Sequence, residues 1–267
     1  MPSEEQSELP DESALLDWIR EVWSIVERDV YHIPAGWKTI AFERLWGICI
    51  QSIRHSRAYL ILLDAGFERE AFTNARAALE HAITAQWVFH RHDGLDRLAV
   101  EMIGKEKQYY SDMAVWLDDA QLAGKADAID VPTGAAMPKF MQILREVDDG
   151  EFLETTYANL SLPTHVRAGS QTEYWQRDGD TFRIRFEPHH LIRYPGTHAA
   201  ALAAMFAVAI LMELMELMEL TEDHAALVRI DAVSEDLLLA VSLRRYLPED
   251  NRRHGTGGGT PWEGLDE

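Results

Sequence analysis

Apolar side chains recur every three or four residues along most of this chain, the period of an amphipathic helix, and strict alternation is confined to one short stretch. Leu15, Trp18, Ile19, Val22, Ile25 and Val26 repeat in this way behind Asp11 or Ser13 as cap. That predicts a first helix over residues 11–31, stopped by Pro34 and Gly36. A second, apolar-rich helix is predicted over 37–65 and is closed by Gly66, a residue suited to the left-handed cap position. A third spans 67–92, closed by Gly94, and a fourth 95–122, ending near Gly124. Joints this short make neighbouring helices pack antiparallel.

Residues 130–137 contain Pro132 and Gly134 and read as a linker, followed by two shorter helices over 138–148 and 151–160. Then the period changes. Tyr174 and Trp175, the pair Asp178-Gly179, and Phe182, Ile184 and Phe186 alternating with Arg183 and Arg185 predict a β-hairpin over 173–186. Helical spacing returns from Pro195 to about residue 222 and again over 224–247. The expected fold is all-α: an antiparallel up-and-down helical bundle with one small β-hairpin insertion. It forms a single helical domain over 11–247, with residues 1–10 and 248–267 as disordered ends.

Composition narrows the function. Among 267 residues, 45 acidic side chains face 25 basic ones, and the resulting net charge of -20 repels phosphate backbones, so generic nucleic-acid binding is disfavoured. The lone cysteine, Cys49, lies in an apolar run, which excludes an intrachain disulfide and a cysteine-based zinc site and suits an inert buried thiol in a reducing compartment. No cationic start precedes an apolar stretch at the N-terminus, so cytoplasmic residence is expected. The apolar run 199–212 ends at Glu213, short of the roughly 18 to 20 residues that span a bilayer, and reads as a core helix with no membrane role. A phosphate-cradling glycine loop, Gly-x-Ser-x-Gly, His-Glu-x-x-His and paired Glu-x-x-His are all missing, so no metal and no cofactor is expected.

The third helix carries the most informative chemistry. Amid alanines and large apolar residues, Thr73, Arg76, Glu80 and Thr84 form one polar line at spacings of three, four and four. Arg76 and Glu80 lie about 40 degrees apart in projection, close enough for an ion pair, and a charge withdrawn from water must be paired. The pair either fixes helix register or forms the wall of a polar pocket. Tyr157, Ser161 and His165 make a second series at spacings of four, with Pro163 bending the chain before His165. The plainer alternative is that Tyr157 and Ser161 satisfy backbone groups at the bend while His165 meets a carboxylate. His90, Arg91 and His92 end the third helix, where cations complement the negative end of its dipole.

These residues bring two resemblances. The stretch LILLDAGFEREAFTNARAALEHAITAQWVF, followed later by Tyr157-x-x-x-Ser161-x-x-x-His165, resembles a group of bacterial helical proteins of unknown function that share an Arg-x-x-x-Glu helix and a Tyr-x-x-x-Ser-x-x-x-His segment. This likeness implies a helical fold and a shared polar cluster of Arg76, Glu80, Tyr157, Ser161 and His165. In RAALEH, Arg76 and His81 also resemble the Arg-x4-6-His pattern of the HEPN superfamily, whose members include metal-independent ribonucleases of toxin–antitoxin and phage-defence systems. Five residues on one helix separate those two side chains by about 140 degrees, so only a second subunit would bring both to one phosphate.

The leading expectation is a helical-bundle binding or interaction protein, its ligand held by Arg76, Glu80, Tyr157, Ser161 and His165. The alternative is a HEPN-like endoribonuclease acting on RNA through Arg76 and His81. A homodimer or a protein partner is the expected assembly. A purely structural role is a third option if Trp37, Trp46 and the alanine-rich helix form an exposed apolar face.

Overall fold

The computed structural model describes residues 9–27, 39–148, 150–162, 174–184, 193–216 and 225–253. In chain order these form α1 (Glu12–Glu27), α2 (Thr39–Asp64), α3 (Glu68–His90), α4 (Gly94–Leu117), α5 (Ala120–Ala128), α6 (Phe140–Val147), α7 (Phe152–Ser161), β1 (Trp175–Asp178), β2 (Thr181–Ile184), α8 (Tyr194–Glu216) and α9 (Ala225–Asp236). The fold is an all-α helical bundle carrying a two-stranded antiparallel hairpin.

Alanines decide where the core sits. Ala71, Ala75, Ala78, Ala82 and Ala85 on α3 and the alanines at 199–204 on α8 are buried, and such small side chains let α2, α3 and α8 approach closely. The Ser52 hydroxyl donates to the Ala78 carbonyl of α3 at 2.9 Å, and Ser56 donates to the Ala200 carbonyl of α8 at 3.0 Å. Trp18, Tyr59, Leu79, Trp87 and Phe206 fill the remaining space, and α1 covers the seam of α2 and α8. Helix α8 is long and apolar enough to cross a membrane, but 89% of its apolar window is buried inside the protein, as a core helix requires. The alanine-rich run is buried, as read from the sequence, so it does not offer the exposed apolar face on which a purely structural role was conditional; Trp46 is partly covered, and Trp37 lies outside the described residues.

Gly66 has φ +81° and turns α2 into α3 as the sequence implies. The hairpin also matches: Trp175 pairs with Ile184 and Asp178 with Thr181 across a turn in which Gly179 has φ +62°. Three other boundaries differ. Gly94 does not close the third helix but opens α4, because α3 ends when Arg91 turns extended and a Cβ at position 94 would run into the Val88 carbonyl. The fourth predicted helix is two: Asp118 is left-handed at φ 52°, and the Asp119 carboxylate caps a new helix by accepting from the Gln121 and Leu122 amides. The expected helix over 224–247 stops at Asp236, where Leu238 turns left-handed at φ 52° and the Ser234 hydroxyl donates to the Leu239 carbonyl.

Residues 248–253, expected within a disordered tail, instead pack against the end of α3. The Arg253 amide donates to the His90 carbonyl at 2.7 Å and the His92 amide to the Asn251 carbonyl at 3.0 Å. Residues 254–267 and 1–8 lie outside the description, as do 28–38, into which the first predicted helix extended.

Candidate functional site

Helix α3 presents its polar line to α7. The Arg76 guanidinium donates from Nη2 to the Tyr157 hydroxyl at 2.6 Å and lies over the same ring, 4.7 Å from its centroid. The hydroxyl in turn donates to Glu80 Oε2 at 3.2 Å. Contact between the two charges thus runs through a phenol rather than directly, a correction to the expected ion pair. Burial pushes the Tyr157 hydroxyl above the ordinary phenol value, against the opposing pull of Arg76, so it is a donor at neutral pH. The Phe140 ring, 4.8 Å away, holds Tyr157 from its other side.

Of the five residues expected in a pocket, Arg76, Glu80 and Tyr157 meet. Ser161 is buried, and its hydroxyl donates to the Tyr157 carbonyl one turn back at 2.7 Å, so it braces α7. His165 lies outside the described residues. Thr84 donates to the Glu80 carbonyl at 2.7 Å, and Thr73 is exposed.

Glu80 also belongs to a cleft of about 640 Å³ between α2, α3, α4 and residues 137–143. Its polar lining includes Gln51, Glu80, His81, Thr84, Glu101 and Lys105, and its apolar lining includes Met102, Met137 and Phe140. Lys105 is paired with Glu101 at 2.8 Å. Oxygen Oε1 of Glu80 has no hydrogen-bond partner among the described residues. His81 Nδ1 lies 2.7 Å from the Ala77 carbonyl, which can only accept, so Nδ1 carries the proton and neutral His81 keeps an acceptor at Nε2. Its ring packs 5.4 Å from that of His55 on α2, whose Nδ1 is 3.2 Å from Asn74 Oδ1.

Arg76 and His81, the pair of the ribonuclease alternative, therefore have different neighbours: Arg76 is engaged with α7 and His81 with α2. Among the described residues, no group of three or more His, Cys, Asp or Glu could hold a metal ion.

Sequence reasoning missed the α4 wall of the cleft. Glu101 and Lys105 stand four residues apart in the fourth predicted helix, and Met137 and Pro138 at the joint of linker and helix, so no local signal marks them. It also missed a knot at the far end of α3, where Glu146 accepts from Trp87 Nε1 at 3.0 Å, from Asn251 Nδ2 at 3.0 Å and from Arg91. His90 does not act as the cation expected there: burial, reinforced by Arg244 and Arg253, lowers its pKa to about 3 and keeps it neutral. No family model, curated protein or solved structure matches the chain.

Proposed function

We propose that this chain is a binding protein for a small amphipathic molecule, held in the α3–α4 cleft with a cationic or hydrogen-bond-donating group against Glu80 and His81. The observation that carries this reading is the division of labour at Glu80, whose one oxygen is fixed by Tyr157 while the other stays unclaimed on a cleft wall. His81 Nε2 adds a second acceptor, and Met102, Met137 and Phe140 offer apolar surface to the rest of the molecule. With Glu80 and Glu101 in the lining, an anionic ligand is disfavoured. The resemblance to bacterial proteins with the same Arg-x-x-x-Glu helix accords with this cluster as their common feature.

The ribonuclease alternative draws less support, because Arg76 already serves Tyr157 and acidic groups stand beside His81. A cytoplasmic location accords with the single buried thiol of Cys49, whose ionisation burial opposes. A protein partner or a second copy has a surface to meet at the end of α4, where Val115 and Trp116 are 84% and 76% exposed.

Thermal unfolding with phenethylamine, tryptamine and 3-phenylpropanoate as probes tests the reading. The two amines are expected to raise Tm and the carboxylate to leave it unchanged, with Glu80→Gln abolishing the amine response. No shift with either amine, or an equal response in the variant, overturns it.

A further inference from the structure

A recess of about 300 Å³ lies on the side of α8 that faces α7 and the chain after α9, distinct from the α3–α4 cleft and sharing no lining residue with it. The recess is half open to solvent, and its volume leaves room for a small molecule rather than a single water. His198, Leu202 and Phe206 line it at successive spacings of four along α8, a single stripe of that helix. Phe152 from α7 and Tyr246 from the C-terminal segment supply further aromatic surface.

Its polar groups are few and under-used. The His198 ring packs against two others, with Tyr194 stacked at 6.1 Å and Phe152 edge-on at 5.8 Å, and neither nitrogen has a hydrogen-bond partner among the described residues. Burial lowers its pKa, so it stays neutral at pH 7 and presents one N–H and one lone pair. Asp148 uses Oδ2 to accept from the Glu154 amide at 2.7 Å and leaves Oδ1 unclaimed. The imidazole nitrogens and Asp148 Oδ1 therefore stand open to a visiting group, with solvent as their alternative partner.

We propose that this recess is a second ligand site, which takes a small uncharged aromatic molecule bearing one hydrogen-bond-donating group, of which phenol is the simplest member. The ring is accommodated by Leu202, Phe206 and Tyr246, and the hydroxyl donates to the lone pair of His198 or to Asp148. The carboxylate of Asp148 excludes an anionic aromatic by like-charge repulsion. Size sets the scale, since the recess is at the lower end of the range for small-molecule sites, about 300 to 1,000 Å³.

Calorimetric titration of the full chain with phenol, toluene and benzoate tests this, with far-UV dichroism and Tm recorded for every variant. Phenol is expected to bind roughly five- to tenfold more tightly than toluene, the worth of one hydrogen bond, and benzoate not at all. His198→Phe should keep toluene binding and erase the preference for phenol. Ala240→Phe should fill the recess and block both. Should that variant fail to fold, Leu238→Asn replaces it: the position is exposed, its φ of 52° is one that asparagine accepts, and losing this apolar lining should weaken both ligands several-fold. Titration of Glu80→Gln tells the two sites apart: a phenol response that disappears in this variant belongs to the α3–α4 cleft and overturns the proposal. Absence of binding by phenol and toluene, a phenol preference that survives His198→Phe, or undiminished binding in the filled or Asn variant overturns the proposal.

Discussion

One oxygen atom on Tyr157 does the work that the spacing of Arg76 and Glu80 assigns to a direct ion pair. It accepts from the guanidinium and donates to the carboxylate, so the two charges are linked through a group that belongs to another helix. This couples α7 to α3 by chemistry rather than by packing alone. A double-mutant cycle of Arg76→Ala and Tyr157→Phe measured by urea unfolding should give each single variant a loss of about 1 to 3 kcal/mol and a coupling of about 1 kcal/mol. Strict additivity would mean that the contact contributes nothing. Arg76 and Glu80 were visible in the sequence because polar side chains in an alanine-rich helix stand out, and Tyr157 through its series with Ser161 and His165 at spacings of four. Their bridged geometry was not, since a spacing of four says which groups are near and not which third group comes between them.

At the scale of elements, two glycines in helices carry opposite instructions. Gly94 sits where α4 starts against the last turn of α3, and a methyl group there meets backbone at Val88, which cannot swing aside. Gly94→Ala should therefore lower the urea midpoint, by the equivalent of about 1 to 3 kcal/mol as overpacking does. Gly124 lies on exposed α5 with open space around it, so Gly124→Ala should raise stability by about 0.5 to 1 kcal/mol. If both move the midpoint the same way, the packing of the α3–α4 junction has been misjudged. The helix breaks at Asp118 and Leu238 share a cause that propensity does not register: a single non-glycine residue turns left-handed, held by hydrogen bonds of the following segment.

For the whole molecule, the end of α3 is a closure point where α6 and the chain after α9 converge on His90, Arg91 and Glu146. His90 is buried, shares a 3.0 Å hydrogen bond with Ser242, and is kept neutral to about pH 3 by burial, with Arg244 and Arg253 adding to the effect. An unfolded chain protonates this histidine near pH 6.5. Below that value the unfolded state binds a proton that the folded state refuses, so stability falls with decreasing pH from about 6.5 to about 3 and is independent of this group above. The stability difference between the parent and His90→Gln should shrink by roughly 1.4 kcal/mol per pH unit across that window. Parallel pH profiles for the two proteins would show that His90 titrates normally.

The sequence alone determined the helical class, the hairpin and its Asp178-Gly179 turn, and the burial of the apolar run before Glu213, and it named Arg76, Glu80 and Tyr157 among five candidates without saying which of them meet. Each follows from local periodicity or from a polar group set in an apolar context, and both are properties of neighbouring residues. Tertiary structure decided the rest: the α4 wall of the cleft, the neutral His90, the packing of residues 248–253 onto α3, and the recess beside His198. These depend on desolvation and on contacts between segments far apart in the chain, such as Arg253 with Arg91, 162 residues away. Such distances carry no periodic trace, because what a side chain loses in water and gains in a partner is settled only when the helices close upon each other.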